Sequence, residues 1–413
     1  MKNNCLIITI LFYFSFLQNG NTQETFLKKY ISPDDKAIYS IIETDDNHLI
    51  FCGSIWTNPE LTGSIGTMSK ISFNGELINS ENYDFTAGNS RYVKLINPSN
   101  TSGSYLLLGS EDSIGDSKSY NSVFIHSIDN ELNILERRNY GLWPDSVNNP
   151  WDFEILNDTT AYILSFFKTS NSSYFLNYSL IKAHLTNGEY DYFIADGTKL
   201  SAVSSFIIDE VKKLIRVNYL RFDLAMYPWN AIANISYDLA NLEEVILENE
   251  FFSQTKLAKK NDSTYFLSAA FIDDNTTQRD LGLAEYNLQD SLLKQIKFPG
   301  GNDSVTYPGS GRKNILVTSD YIWVMGWYNC LASQPPCQYE STYIMLNKLT
   351  HDLELIEQIF YGGDGVYNPN DIIETSDNHI VVVGDFFDPQ AVPYNCHFDP
   401  FVLKVNSEGL IVN

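Results

Sequence analysis

The sequence is poor in basic residues. It has 27 Lys and Arg against 51 Asp and Glu, which gives a formal net charge of −24 over 413 residues. A chain this acidic repels phosphate backbones and anionic lipid surfaces. Nucleic acid is therefore not expected among its partners.

Cysteine and histidine are also scarce, with five Cys and six His in the chain. None of the cysteines has CxxC spacing and no histidines are paired, so no zinc site is predicted. Cys330 and Cys337 bracket the short segment LASQPP and are predicted to form a disulfide. Cys52 lies in an apolar segment, and it is either a buried thiol or the partner of Cys396; the sequence leaves both possibilities open.

The common catalytic motifs are missing. There is no Gly-x-Ser-x-Gly elbow and no His-Glu-x-x-His pair. Carboxylates are so abundant that no pair stands out as a general acid and base. The acidic stretch that includes Asp273, Asp274 and Asp280 lacks the ordered ligand spacing of a calcium loop. No metal site and no cofactor are expected.

Only one long apolar run exists, residues 6–17 (LIITILFYFSFL), and Lys2 precedes it. It is too short for a membrane span, which needs about 20 apolar residues. A basic start, a short apolar run and a polar end are typical of a signal peptide, predicted here as residues 1–22. The remaining residues, 23–413, are expected to form a single secreted or cell-surface domain with no membrane insertion.

Helical periodicity is lacking beyond that run, and self-similarity takes its place. Residues 41–53 read IIETDDNHLIFCG, and residues 372–384 read IIETSDNHIVVVG, about 330 positions later. Weaker copies of the apolar–turn–apolar pattern fill the gap, at residues 105–109, 161–166, 213–217, 264–269 and 321–326. Fixed-period self-similarity of this kind is the signature of a repeat architecture.

The copies number seven, at a spacing of about 55 residues, and each predicts four short strands joined by turns. The sequence therefore predicts an all-β, seven-bladed propeller of four-stranded antiparallel blades, with six or eight blades as the alternative. The last copy has only three clear strands. Residues 24–30 (ETFLKKY) resemble the fourth strands at 292–298 and 356–361, so we expect this N-terminal strand to complete the last blade and close the ring.

The unit S-I-I-x-T-x-D…G, followed by L-x-K-x-D/N-x-x-G, resembles the repeat propellers common in exported proteins of the Bacteroidetes. Residues 40–53 and 371–384 match the first part, and residues 68–75 (MSKISFNG) and 402–409 (VLKVNSEG) match the second. The resemblance implies a propeller fold and an exported location, and it implies no activity.

Long, varied segments join second to third strands, and tight turns join the third strands to the fourth. In a propeller blade the second-to-third loops and the interblade links share one face, here called the long-loop face, and the other turns share the tight-turn face. Binding usually occurs on long loops held by a rigid scaffold. Five tryptophans are assigned to the long-loop face together with Phe386, whereas Trp323 lies within a strand. The predicted ligand-binding residues are Trp56, Trp143, Trp151, Trp229, Trp327 and Arg312.

Arg312 and Lys313 begin the sixth unit. First strands line the central channel of a propeller, so a cation at this position can face an anionic ligand; the alternative is a solvated pair at a strand start. The interpretation that follows is a non-catalytic extracellular binding or scaffold propeller for a glycan or a protein. The alternative is an enzyme that cleaves polysaccharide or peptide at the channel mouth. Ligand identity and oligomeric state do not follow from the sequence.

Overall fold

The computed structural model describes 29 strands and no helix within the following residues: 25–56, 64–83, 90–98, 103–115, 118–141, 146–169, 177–195, 201–222, 228–247, 251–272, 279–298, 306–308, 313–329, 341–389 and 397–411. No segment of these ranges forms an apolar helix long enough to cross a bilayer.

The first strand, β1 (Phe26–Lys29), stands apart from the blade that follows it. Blade 1 contains β2 (Asp35–Glu43), β3 (His48–Trp56), β4 (Ser64–Ser72) and β5 (Leu77–Tyr83). Blade 2 contains β6 (Ser90–Ile96), β7 (Ser104–Gly115), β8 (Lys118–Asp129) and β9 (Ile134–Asn139). Blade 3 contains β10 (Ser146–Asn157), β11 (Thr160–Thr169), β12 (Asn177–His184) and β13 (Tyr190–Ile194).

Blade 4 contains β14 (Ser201–Asp209), β15 (Leu214–Phe222), β16 (Pro228–Ser236) and β17 (Leu242–Ile246). Blade 5 contains β18 (Phe251–Lys259), β19 (Thr264–Ile272), β20 (Arg279–Asn287) and β21 (Leu292–Phe298). In blade 6 the first strand is split into β22 (Thr306–Pro308) and β23 (Ile315–Val317), which both pair with β24 (Ile322–Tyr328); β25 (Tyr343–Leu349) and β26 (Leu355–Gly362) follow.

Blade 7 joins the two ends of the chain. It contains β27 (Val366–Glu374), β28 (Ile380–Phe387) and β29 (Phe398–Val405), and its fourth strand is β1. β1 runs antiparallel to β29, with Phe26 opposite Lys404 and Lys29 opposite Phe401. The chain is a seven-bladed β-propeller. The predicted blade count and the closure by the N-terminal strand are confirmed, and the alternatives of six or eight blades are wrong.

The apolar cores lie between neighbouring blades. One cluster combines Phe26, Val381 and Val402 of blade 7 with Ile38 and Phe51 of blade 1. Inner strands such as β3 and β28 are buried over most of their length, because another blade covers each of their faces. Outer strands such as β5 are mostly exposed. This difference explains why the second strands of the repeat are continuous apolar runs.

The glycine that ends the repeat signature is required by a close approach of two strands. A Cβ on Gly53 would lie 1.8 Å from the carbonyl oxygen of Ala37, and a Cβ on Gly384 would lie 2.0 Å from that of Asn368. Both glycines face a β-bulge in the first strand of their blade. The bulge brings the first-strand backbone so close that only a glycine fits opposite it.

Turn chemistry follows the sequence in most repeats. Asn47 and Asn378 have φ angles of 57° and 59°, and Gly75 and Gly409 have 72° and 74°. Asn and Gly tolerate these left-handed conformations at the smallest cost. In blade 2 the positive φ falls on Leu132, at 69°, and not on the Asp129–Asn130 pair that the sequence favoured. There Asp129 accepts hydrogen bonds from the backbone N–H groups of Glu131 and Asn133. These bonds place the left-handed residue of the turn after Asn130.

The two halves of the repeat signature bind each other through a buried lysine. Lys404 Nζ donates to Asp377 Oδ2 at 2.7 Å and to the carbonyl of Phe73 in blade 1 at 3.4 Å. Lys70 makes the same pair of contacts, with Asp46 at 2.7 Å and with the carbonyl of Asn130 in blade 2 at 2.9 Å. The Asp of the first part and the Lys of the second part thus form one unit, and that unit also holds the next blade.

We predict that Gly384→Ala lowers the free energy of unfolding by about 3 kcal/mol or more, because the added methyl group overlaps the backbone of the first strand. Urea denaturation followed by tryptophan fluorescence measures the change. Gly141→Ala is the matched control, since nothing lies within 4 Å of a Cβ at that position. Equal stability of the two variants would contradict the close approach.

We predict that Lys404→Met costs about 3 kcal/mol of stability, because it leaves the carboxylate of Asp377 buried without its cation. The side chains of Lys404 and Asp377 are 1% and 10% exposed. Lys213→Met, in the exposed turn between β14 and β15, removes the same charge and is expected to change stability by less than about 0.5 kcal/mol. Similar losses in both variants would show that the buried pair adds nothing.

Candidate functional site

The first strands share a structural irregularity where they face the channel. A bulge precedes Ser40 in β2, Lys94 in β6, Asp152 in β10, Ser205 in β14 and Asp371 in β27. In blade 5 the equivalent residue is Lys256, which follows a longer break in strand pairing. In blade 6 it is Asn314, whose backbone carbonyl accepts a hydrogen bond from the N–H of Met325. We call the set of these residues the channel ring: Ser40, Lys94, Asp152, Ser205, Lys256, Asn314 and Asp371.

The channel ring hydrogen-bonds one blade to the next. Ser40 Oγ donates to Asp371 Oδ2 at 2.8 Å and accepts from the N–H of Leu95 at 3.3 Å, so it links blade 1 to both of its neighbours. Lys94 Nζ forms an ion pair with Asp152 Oδ1 at 2.5 Å. Ser205 Oγ accepts from the N–H of Leu257 at 2.8 Å.

The remaining blade interfaces are bridged at the same depth. Asn314 Oδ1 accepts from Ser268 Oγ at 2.7 Å, between blades 6 and 5. The N–H of Lys313 donates to the carbonyl of Asn370 at 3.3 Å, between blades 6 and 7. Glu154 Oε2 accepts from the N–H of Ile208 at 3.2 Å, between blades 3 and 4. Buried polar groups are tolerated here because they are hydrogen-bonded.

A cavity of about 350 Å³ occupies the channel beside this ring. It is bounded by the halves of β10, β14, β18 and β23 that lead to the tight-turn face, and by Lys94 of β6. About half of its wall is apolar, with side chains such as Phe206, Leu257 and Ile315. Its charged groups are Lys94, Asp152, Glu154 and Lys313, together with Glu210 and Lys259. Its volume lies near the lower end of the range for small-molecule sites.

Burial shifts the ionisation of these groups. It raises the pKa of Glu154 to about 7, and the nearby Lys94 only partly offsets this. Burial also lowers the pKa of Lys313, which the carboxylate of Asp371 opposes. The pKa of Lys94 is raised, because Asp152 and Glu154 together outweigh the effect of its burial. Shifts of this kind concentrate where fixed charges face a poorly hydrated space.

A second buried carboxyl lies where the first and last blades meet. Asp385 accepts from the N–H of Ile38 at 2.6 Å and from Asn370 Nδ2 at 2.9 Å. Burial raises its pKa to about 7 in spite of these bonds. The same amide of Asn370 also donates to the carbonyl of Ile38 at 2.6 Å, so Asp385 belongs to the contact that closes the ring.

Four of the predicted ligand-binding tryptophans lie in described strands. Trp56 ends β3 and Trp327 lies near the end of β24, and both side chains are half-buried. Trp229 lies at the start of β16, opposite Arg221. Trp151 packs edge-on against Phe166 with ring centroids 5.2 Å apart, and its Nε1 donates to the carbonyl of Ser204 at 2.8 Å. The Trp151 indole thus joins blade 3 to blade 4.

Several other predictions fall outside the described residues, namely Trp143, Arg312 and the predicted disulfide of Cys330 with Cys337. Cys396 lies outside them as well, whereas Cys52 is buried beside Met68 and Tyr92. Phe386 does not join an exposed surface, because it is 5% exposed and packs 5.0 Å from the ring of Tyr367. Within the described ranges, no group of three or more His, Cys, Asp or Glu side chains is arranged to hold a metal ion.

Sequence reasoning offered two positions for Lys313, facing the channel or solvated at a strand start, and it missed Lys94, Asp152 and Glu154. Lys94 and Asp152 directly follow the bulge of a first strand, and Glu154 lies two residues further along β10. The middle repeats diverge so much that this position is visible only once the strands are paired.

Comparison with known proteins identifies the fold alone. No family model and no curated protein matches the chain. A protein of unknown function from Dyadobacter fermentans aligns with a TM-score of 0.50 and 10% identity, over 93% of this chain and 98% of that one. The WD40 domain of SCAP from fission yeast aligns with a TM-score of 0.42 and 10% identity, over 93% and 98%. The propeller domain of the Trilobed protease from Pyrococcus furiosus aligns with a TM-score of 0.47 and 9% identity, over 89% and 95%.

We predict that Glu154→Gln flattens the pH dependence of stability. The folded state holds the Glu154 proton up to about pH 7, whereas the unfolded chain releases it near the ordinary value of 4.5. This carboxyl therefore does not lower the free energy of unfolding below pH 4.5, and it lowers it progressively as the pH rises towards 7. Between these two pH values, the free energy of unfolding of the variant should rise relative to that of the wild type by on the order of 2 kcal/mol.

Urea denaturation at several pH values measures this difference. Glu81→Gln, on the exposed strand β5, is the matched control and should run parallel to the wild type. A Glu154→Gln curve that also runs parallel would contradict the assigned ionisation.

Proposed function

We propose that this chain is a non-catalytic extracellular binding or scaffold propeller that engages a glycan or a protein through its long-loop face. The observation that carries the proposal is a difference between the two faces of the ring. Side chains on the tight-turn face hold the blades together, whereas aromatic side chains at the strand ends of the long-loop face are left partly exposed.

The tight-turn face is occupied by contacts between blades. At each interface a lysine, arginine or tyrosine donates to a carbonyl in the third-to-fourth turn of the next blade. Examples are Arg216 to Leu288 at 2.8 Å, Lys260 to His351 at 2.8 Å and Tyr162 to Tyr237 at 2.8 Å. A residue that forms these contacts cannot change without loss of stability, which makes this face a poor place for variable recognition.

The strand ends on the opposite face carry aromatic rings that the core only half covers. Trp56 ends β3, and Tyr328 ends β24 with its ring centroid 5.8 Å from that of Tyr343. Phe387 and Phe398 face each other at the ends of β28 and β29, with centroids 6.0 Å apart. Aromatic side chains give large contact area at low conformational cost, and they are enriched at recognition surfaces.

The proposed extracellular location rests on residues 1–22, whose basic start and short apolar run are typical of a signal peptide. The net charge of −24 favours a neutral or basic partner over a polyanion. Neutral glycans and proteins with a basic surface meet this requirement.

The second candidate is a polysaccharide- or peptide-cleaving enzyme at the channel mouth. Glu154 favours it, because a carboxyl with a pKa of about 7 on a cavity wall has the ionisation that a general acid needs. Against it, the described groups around Glu154 supply no second carboxyl free of hydrogen bonds: Asp152 is paired with Lys94, and Asp371 accepts from Ser40. Loss of hydrolysis in Glu154→Gln on a glycan or peptide panel would favour this candidate over the binding proposal.

We predict that Trp56→Ala combined with Trp229→Ala and Trp327→Ala weakens binding of the partner at least tenfold. A glycan array and a pull-down from extracellular material first identify the partner, and isothermal titration then compares the variants. Tyr192→Ala is the control, because Tyr192 is 41% exposed on the outer strand β13, away from the long-loop face.

Thermal unfolding of the triple variant separates loss of binding from loss of fold, since Trp327 is half-buried. Unchanged affinity in a folded triple variant would overturn the assignment to the long-loop face, and so would an equal loss in Tyr192→Ala.

A further inference from the structure

The central cavity contains a lysine that forms no close ion pair, Lys313. Lys94 is paired with Asp152 at 2.5 Å, and Lys259 is paired with Asp262 at 2.9 Å. Among the residues that the structure describes, no carboxylate forms an ion pair with the ammonium group of Lys313, although Lys313 lines the same cavity. Its side chain is half-buried, and its backbone is fixed by the bond from its N–H to the carbonyl of Asn370.

The neighbouring carboxylates are already engaged. Asp371 accepts from Ser40 Oγ at 2.8 Å, from the N–H of Ile41 at 3.1 Å and from the N–H of Ile372 at 2.8 Å. Glu154 accepts from the N–H of Ile208 at 3.2 Å. These hydrogen bonds hold the carboxylates to the strands, so they act on Lys313 through their charge and form no close ion pair with it.

The uncharged side chains on the cavity wall are apolar, among them Ile155, Leu156, Phe206, Leu257, Ile315 and Val317, and they share the surface about equally with polar atoms. An ammonium group and apolar side chains on the wall of one cavity of about 350 Å³ match a small organic anion with an apolar body. A polar ion such as phosphate would leave the apolar part of the wall unfilled.

We propose that this cavity binds a small carboxylate with an apolar body, whose anionic group pairs with Lys313 and whose apolar part packs on the wall formed by β10, β14, β18 and β23. The ligand enters from the tight-turn face, because the cavity is bounded by the halves of these strands that lead to it. The site is independent of the macromolecular surface proposed above, which lies at the opposite end of the ring.

The ionisation of the group is consistent with this assignment. Burial lowers the pKa of Lys313, and the carboxylates of Asp371, Glu154 and Asp152 offset this only in part, so the cation is held at a cost. A bound anion would relieve that cost, since an opposite charge at close range favours the charged form.

The test uses the full-length folded protein and hexanoate as the probe, with hexanamide as its uncharged match and hexylammonium as its cationic match. Isothermal titration should show hexanoate binding at least about tenfold more tightly than either match, because neither match can form the charge-assisted hydrogen bond with Lys313. Equal binding of hexanoate and hexanamide would overturn the proposal, as would the absence of binding by all three.

Two variants place the anionic group. Lys313→Gln should weaken hexanoate binding about tenfold or more, whereas Lys313→Arg should retain most of it. Lys294→Gln removes a matched charge on the exposed strand β21 and should leave the affinity unchanged. Full affinity in Lys313→Gln, or an equal loss in Lys294→Gln, would overturn the assignment.

Two further variants keep the proposal testable if Lys313→Gln does not fold. Ala258→Leu, on the cavity wall, should weaken hexanoate binding by filling the space that its alkyl chain occupies. Above pH 7, where Glu154 is ionised, Glu154→Gln removes a neighbouring negative charge and should tighten hexanoate binding. Weaker binding in Glu154→Gln would overturn the simple anion and indicate a zwitterion whose ammonium group contacts Glu154. Unchanged binding in Ala258→Leu would place hexanoate elsewhere.

Discussion

Closure of the ring by β1 is the constraint on which the rest of the structure depends. β1 pairs with β29 over four residues at the opposite end of the chain, and this pairing completes blade 7. Without it, β29 would expose an unpaired edge, and the core shared by blades 7 and 1 would lose Phe26. Seven equivalent blades can share a central axis only if the last one meets the first. β1 thus closes the ring together with the bonds from Ser40 to Asp371 and from the N–H of Ile38 to Asp385, which join the same two blades.

Polar contacts set the fit between the blades, and apolar contacts supply the bulk of the burial. The apolar contacts between blades have no preferred direction. They therefore fix the distance between two blades better than they fix the register of one blade against the next. The channel ring and the donors to the third-to-fourth turns are directional, so they fix how each blade is placed against the next. Buried lysines such as Lys70, Lys348 and Lys404 are tolerated because a carboxylate or carbonyl partner meets each of them. The acidic composition thus has an internal use as well as a solvating one.

The same geometry gives the two ends of the propeller different properties. On the tight-turn face the turns are short, and their carbonyls accept hydrogen bonds from the neighbouring blade. These bonds hold that face in place. The channel cavity lies near the same face. The long-loop face starts from strand ends that carry partly exposed rings such as those of Trp56 and Phe398. A small ligand in the channel and a large partner on the loops would therefore bind at different ends. Occupation of one site would not obstruct the other.

The sequence by itself determined the repeat, the number of blades and the strand that closes the ring. Each of these depends on local patterning: strand and turn chemistry recur at a fixed period, and residues 24–30 match the fourth strands of other units. The tertiary structure alone decided which polar residues meet in the channel. Lys94 and Asp152 are 58 residues apart and belong to blades whose first strands show little similarity, so no local pattern pairs them. The tertiary structure also decided that Phe386 is buried and that Trp151 joins two blades. Burial depends on the side chains of the neighbouring blade, and a repeat pattern carries no information about those side chains.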